Sequence, residues 1–228
     1  MKTVLITGAN RGLGLEFAKQ YCEQDYNVIA CCRDIEHATE LKSISQNHDL
    51  IKLHTLNVGN TEEIKQLAID LKSQSIDILI NNAGIYRPST IGNINKKEWV
   101  ESFLINTIAP YEVINYFLPH LLKGELKKIV SITSKMGSID DNTSGGSYIY
   151  RSSKTALNSM MRSLTHDLKS QGIATLTLHP GWVRTDMGGL GGWIDTPESI
   201  QGMINQINSL SLKNSGQYID YAGKPINW

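Results

Sequence analysis

The chain is poor in cysteine, in net charge and in long apolar runs. Only Cys22, Cys31 and Cys32 occur among 228 residues. Cys31 and Cys32 are adjacent in an apolar run, so on a strand they face opposite sides and do not easily bridge. The expectation is three buried thiols in a reducing, cytoplasmic setting. The 22 basic and 22 acidic residues cancel, and no block of like charge stands out. Strong attraction to nucleic acid or to an acidic membrane surface is therefore not expected. Nothing approaches the length of a membrane span, and the opening MKTVLITGAN is too short an apolar stretch for a signal peptide. His37, His48 and His54 lack the spacing of a metal site, and no metal is expected.

What is present is alternation. Short β-branched runs are separated by longer helical patterns, which predicts an α/β fold with a doubly wound parallel sheet and helices on both faces. Strands are expected at 3–7, 27–32, within 50–58, and at 76–82, 127–133, 172–180 and 216–223. Helices are expected near 12–24, after Asp34 as N-cap, from Thr61 to about Ser73, over 96–122, over 147–170 and near 197–209. No linker, repeat or low-complexity block interrupts this, so one domain spanning 1–228 is the economical reading.

TGANRGLG places Gly8, Gly12 and Gly14 between the first strand and the first helix. A chain turning sharply there needs residues without a Cβ, and so does a pyrophosphate approaching the backbone. Free N–H groups and the dipole of the helix N-terminus favour phosphate charge. The spacing is G-x3-G-x-G rather than the common G-x-G-x-x-G, so the loop alone is a weak signal. The second strand ends ACCRD, with Cys32 where an NAD-type acid would sit and Arg33 next. Arg11, inside the glycine loop, is placed to reach the same ribose phosphate. Asp34 lies twenty residues past Gly14, near the spacing of the NAD-type acid, but its position suits a helix cap. NADP is the expected cofactor.

YIYRSSK (148–154) offers two tyrosines and one lysine. Residues four apart lie about 400° around a helix and share a face, whereas residues six apart do not. Tyr150 and Lys154 satisfy this; Tyr148 does not. A free phenol has a pKa of roughly 10, and a neighbouring ammonium stabilises the phenolate. In reduction the same phenol donates its proton to a carbonyl oxygen. Taken alone, Tyr-x-x-x-Lys is more often an ordinary snorkelling helix face.

It does not stand alone. TGANRGLG (7–14), NNAG (81–84), the serine of SITSKMGS, YRSSK (150–154) and HPGWVRTDM (179–187) occur in order. Together they resemble the short-chain dehydrogenase/reductase family over essentially the whole chain. GSIDDNTSGGSYIYRSSKTALN resembles more narrowly the C-factor and sniffer type of NADPH-dependent carbonyl reductases. The resemblance implies that Tyr150 is the proton donor and that Lys154 binds the nicotinamide ribose and lowers the Tyr150 pKa. It implies that Ser134 polarises the substrate carbonyl and that Asn106 holds a water behind the lysine. It places Gly8, Asn10, Arg11, Gly12, Leu13 and Gly14 at the cofactor phosphates. Asn82, Ala83 and Gly84 fall near the adenosine ribose, and Pro180, Gly181, Val183 and Thr185 on the carboxamide and phosphate side. Asn57 and Val58 stand where the family has Asp-Val at the adenine, so the charge of that contact is absent.

Ser134 precedes Tyr150 by sixteen residues, longer than the family's usual spacing, and Ser138 precedes it by twelve. Ser134 is preferred because it follows the strand IVSIT at the sheet's carboxyl edge, where ligands bind; Ser138 stays in play. The extra length falls in the turn-rich DDNTSGG, beside the substrate mouth. GGLGG (188–192) is expected to form a mobile lid, and Trp193 to line an apolar pocket or simply to pack. The functional expectation is reduction of an aldehyde or ketone, with a homodimer or homotetramer as the assembly. The alternative is an NADP(H)-binding signalling or sensor protein with little turnover.

Overall fold

A computed structural model describes every residue from Met1 to Trp228. The β-branched runs all join one sheet: β1 (Thr3–Thr7), β2 (Asn27–Cys32), β3 (Ile51–Thr55), β4 (Ile78–Asn81), β5 (Lys128–Ile132), β6 (Ala174–His179) and β7 (Gln217–Asp220). Their order is β3-β2-β1-β4-β5-β6-β7, and every neighbouring pair is parallel. The helices are α1 (Gly12–Glu23), α2 (Thr39–Asn47), α3 (Thr61–Asp70), α4 (Lys96–Phe103), α5 (Ala109–Lys123), α6 (Tyr148–Leu168) and α7 (Thr196–Ser209). No helix is long and apolar enough to cross a membrane.

Strand alternation builds two cores. Val4 and Ile6 of β1 and Ile78 and Ile80 of β4 pack on one face with residues of α1, α2 and α7. Leu5 and Leu79 pack on the other face with residues of α3, α5 and α6. Each such side chain contributes roughly 1.5–3 kcal/mol by leaving water, and a one-residue slip would exchange the two faces. Cys32 faces the first core and Cys31 the second, and all three cysteines are free and buried. From β1 the chain winds outward through β2 to β3, then returns to β4 and continues the other way. The carboxyl ends of β1 and β4 therefore flank the switch point, the place where a doubly wound sheet opens a crevice.

Two helix expectations need correction. The span 96–122 is not one α-helix. A π-helical turn at Leu104–Ile108 separates α4 from α5, because the Asn106 side chain is drawn to the Ile85 backbone. Asp34 caps no helix: it closes its own turn, accepting from the His37 backbone N–H at 3.1 Å, and α2 starts at Thr39 after Ala38. α3 begins at Thr61 as expected, capped by Asn60, whose Oδ1 accepts from the Glu62 N–H at 3.1 Å.

Candidate active site

The glycine loop leaves β1 and immediately starts α1. Gly8 has φ +67°, and a Cβ there would stand 3.0 Å from the Ala83 Cα. A Cβ on Gly14 would stand 2.1 Å from the Gly8 carbonyl oxygen, and one on Gly12 would face the Thr185 methyl at 3.6 Å. The loop is thus pressed against the end of β4 and its own first turn at Gly8 and Gly14, where a Cβ has no room, while Gly12 makes an ordinary contact with the segment after β6. Leu13 packs against the first core, and Asn10 is half-buried on the loop. Asn82 supports the loop from below, its Nδ2 donating to the Thr7 and Gly8 carbonyls at 2.9 and 3.0 Å. The Asn82 and Ala83 N–H groups both donate to Thr7 Oγ1 at 3.1 Å. The Asn82 side chain is therefore occupied by the protein's own backbone.

Arg33 stands exposed one residue past β2, with no carboxylate partner. Arg11 is exposed too, but its guanidinium is turned across the cleft to Asp186, where it forms an ion pair. The expectation that both arginines point to one phosphate is thus only half met. An exposed pair of this kind is worth about 0–1 kcal/mol and yields readily to a better anion. Asn57 lies two residues past the end of β3, and its Oδ1 accepts from the Gly59 N–H at 3.1 Å; Val58 beside it is buried.

Tyr150 and Lys154 share the buried face of α6, as their spacing predicts. The Lys154 ammonium stands 5.9 Å from the centre of the Tyr150 ring and donates to the Ile132 carbonyl at 2.9 Å. It has no carboxylate partner, and burial lowers its pKa to about 8. Burial also pushes the Tyr150 hydroxyl up to about 12, opposed by the nearby Ser134 hydroxyl. The expected lowering of that pKa by Lys154 is not what this structure holds. The phenol is desolvated, and the ammonium is aimed at a backbone carbonyl instead.

Ser134, not Ser138, faces Tyr150. Ser134 caps a short 3-10 turn at Lys135–Gly137, its Oγ accepting from the Met136 N–H at 3.2 Å. Ser138 is buried and engaged elsewhere, donating to the Trp228 carbonyl at 3.3 Å and accepting from the Asp141 N–H at 3.0 Å. The insertion 140–146 follows, tied to its surroundings by Lys135–Asp141 at 3.0 Å and Arg151–Ser144 at 2.9 Å. Asn106 is fully buried, and its Nδ2 donates to the Ile85 carbonyl at 2.9 Å and to Ser153 Oγ at 3.0 Å. A Cβ on Gly84 would meet Asn106 Oδ1 at 3.2 Å and Lys154 Nζ at 3.5 Å, so these three positions meet in one small space.

After β6, Pro180 accepts from Ser199 Oγ at 2.6 Å, and Gly181 turns with φ +85°. Val183 is buried and bridges to Ile194, while Thr185 Oγ1 accepts from the Gly188 N–H at 3.1 Å. The GGLGG stretch is tied at its base: Trp182 Nε1 donates to the Gly188 carbonyl at 2.7 Å, and the Trp193 N–H to the Trp182 carbonyl at 2.7 Å. Leu190 at its tip is 96% exposed. Trp193 stands edge-on to Trp182 with ring centres 5.3 Å apart and is 78% exposed.

Tyr86 was not foreseen. Its ring meets that of Tyr150 edge-on at 5.1 Å, and its hydroxyl lies 3.2 Å from Ser147 Oγ. Its place two residues after NNAG was the only available signal. Ser89 was missed as well; it accepts from the Ile149 N–H at 3.0 Å and so pins the start of α6.

Comparison with known proteins agrees with this geometry. NADPH-bound carbonyl reductase from chicken fatty liver superposes with a TM-score of 0.95 at 36% identity, covering 100% of this chain and 99% of that one. Carbonyl reductase Sniffer of D. melanogaster superposes with a TM-score of 0.94 at 35% identity, covering 100% of both chains. C-signal of Myxococcus xanthus is 39% identical over 72% of this chain and 100% of its own. The family model described as short chain dehydrogenase matches residues 2–190, and with it this chain belongs to the short-chain dehydrogenase/reductase family, of the C-factor and sniffer type.

Proposed function

We propose that this protein reduces an aldehyde or ketone to an alcohol with NADPH, Tyr150 donating the proton to the carbonyl oxygen. One observation carries the reading: a phenol held protonated by burial, against the Ser134 hydroxyl, on the same helix face as the Lys154 ammonium. A pKa of about 12 makes Tyr150 a standing proton donor at neutral pH, which suits reduction. The Ser134 hydroxyl is placed to share the carbonyl oxygen and to stabilise charge developing there. The Lys154 ammonium adds positive potential beneath, and Asn106 and Gly84 frame the space around it.

The residues fit the cofactor. The close approach of Gly8 to Ala83 and of Gly14 to the Gly8 carbonyl brings the loop onto the N-terminus of α1, where unpaired N–H groups favour phosphate. Arg33, unpaired at the end of β2, suits a ribose 2′-phosphate, and Arg11 joins it if released from Asp186. The NADPH-bound chicken reductase supports the same assignment. When bound, NADPH supplies the hydride for the carbonyl carbon; this chain fixes orientation and the proton. Val100, Ile108 and Tyr111, exposed along α4, the π turn and α5, support a homodimer or homotetramer.

The sensor alternative draws on the C-signal relative and is not favoured, since a sensor has no use for a protonated phenol beside a serine and an ammonium. NADPH consumption against a panel of reactive carbonyls tests the reading, with Tyr150→Phe as control. Turnover that falls about 100-fold or more in the variant, with NADPH binding intact, is the expected result. Tight NADPH binding with no turnover on any carbonyl would move the reading to the sensor.

A further inference from the structure

The loop that carries Ser134 is held from the far end of the chain. Tyr218 on β7 is buried, and its hydroxyl donates to the Ser134 main-chain carbonyl at 2.6 Å. The same hydroxyl lies beside Asn158, one turn past Lys154 on α6. Asn158 grips both ends of the loop, its Oδ1 accepting from Thr133 Oγ1 at 2.7 Å and its Nδ2 donating to the Gly137 carbonyl at 3.2 Å. Thr155 Oγ1 donates to that carbonyl as well, at 2.9 Å.

Behind Tyr218 comes a second layer. After β7 the chain turns back, with the Ile226 N–H donating to the Tyr218 carbonyl at 2.9 Å, and sets the Trp228 ring against that of Tyr218 at 5.3 Å. The Trp228 main-chain carbonyl then accepts from Ser138 Oγ at 3.3 Å and from the Ile139 and Asp140 N–H groups, both at 3.2 Å. Asn227 Nδ2 donates to Asp140 at 2.6 Å. Ser134 is therefore fixed by α6 on one side and by this returning segment on the other.

We propose that Tyr218, backed by Trp228, is a positioning residue for Ser134, setting the angle at which the Ser134 hydroxyl meets Tyr150 and the substrate carbonyl. Neither residue donates a group to the reaction. The physical reason is geometric. A serine at the cap of a three-residue turn has a mobile backbone unless its peptide is anchored, and small misplacements of a catalytic donor lower the rate steeply. The role rests on the reductase reading above.

The test is a double-mutant cycle joined to hydrogen exchange of the segment 134–141. Tyr218→Phe removes one oxygen and keeps the ring. It is expected to lower kcat about 10-fold with KM for NADPH unchanged, and to speed exchange in 134–141. In the Ser134→Ala background the same change is expected to cost less than about twofold, because the residue it positions is gone. Trp228→Leu should act in the same direction, and Trp228→Phe, which keeps an aromatic face on Tyr218, should restore most of the rate. Should Tyr218→Phe fold poorly, the Trp228 variants carry the same cycle. Equal losses in both backgrounds, or full activity in Tyr218→Phe, would overturn the proposal. If wild type reduces no carbonyl, the functional reading falls by itself, and exchange still decides the anchoring: unchanged protection of 134–141 in Tyr218→Phe overturns it.

Discussion

The Lys154 ammonium stands 5.9 Å from the Tyr150 ring centre, yet its hydrogen bond runs to the Ile132 carbonyl at 2.9 Å. One helical turn separates the two residues, and both are buried, so each loses hydration on folding. The lysine pKa falls to about 8 and the tyrosine pKa rises to about 12. Burial is the largest cause of both shifts, and it drives the pair in directions that favour the neutral form of each. A protonated phenol is what reduction requires, while the lysine is left poised to change charge just above neutrality.

That poise makes a stability prediction. The folded Lys154 pKa lies below its ordinary 10.5, so the buried charge penalises the fold fully below pH 8. Between about pH 8 and 10.5 the unfolded chain binds more protons than the folded one, and this penalty fades as pH rises. Lys154→Met conserves volume and carries no charge. Its stability relative to wild type should therefore be most favourable near pH 7 and decline by about 3 kcal/mol by pH 10.5. The lost hydrogen bond to Ile132 offsets part of the gain, by about 1–2 kcal/mol at every pH. Urea denaturation of both proteins without nucleotide at pH 7 and 10.5 measures this; a difference flat in pH would refute it.

The two serines should separate cleanly. Ser134→Ala removes the hydroxyl facing Tyr150 and is expected to lower kcat by about 10²–10³ with little change in thermal stability. Ser138→Ala removes a buried hydroxyl that bonds Trp228 and Asp141, so it should reduce stability by about 1–2 kcal/mol and retain substantial turnover. Steady-state kinetics beside thermal melts distinguish them, and the reverse pattern would reassign the serine.

Why was the first serine legible but not its anchor? Strand positions, the glycine loop and the Tyr150–Lys154 face follow from local periodicity and from residues without a Cβ, and these survive in the sequence. Ser134 followed from one topological fact, that it leaves a strand at the sheet's carboxyl edge. Tyr218 lies 84 residues from Ser134, and no spacing rule connects them. The π turn at Leu104–Ile108 was hidden for the same reason, since Asn106 is recruited by the Ile85 backbone 21 residues away. Asp34 misled in the opposite way: a good cap residue formed a still more local bond with His37.

Arg33 gives the cofactor prediction. It has no carboxylate partner, so its charge is free for an anion, whereas Arg11 must first leave Asp186. A charge-assisted hydrogen bond is worth about 1.5–3 kcal/mol. Arg33→Ser should therefore weaken NADPH binding about 10- to 100-fold and leave NADH binding nearly unchanged. Asp186→Ala, by freeing Arg11, should tighten NADPH binding by a few-fold at most, and less at high salt. Fluorescence titration with each nucleotide checks both. Equal losses for NADPH and NADH in Arg33→Ser would show that the arginine does not read the extra phosphate.

Gly14 is where fold and site make the same demand. An alanine methyl there would stand 2.1 Å from the Gly8 carbonyl oxygen and 2.6 Å from Asn82 Nδ2. Neither neighbour can yield. The first is backbone, and the second is fastened to the Thr7 and Gly8 carbonyls. Relief requires α1 to move away from β1, which breaks Leu13 and Leu15 from the first core and widens the phosphate cradle. Gly14→Ala should therefore lower stability by about 1–3 kcal/mol and reduce NADPH affinity together. A variant that binds NADPH normally while melting earlier would mean that the loop can spread without losing its ligand. In that case the close approach of Gly8, Gly14 and Ala83 would serve packing rather than the cofactor.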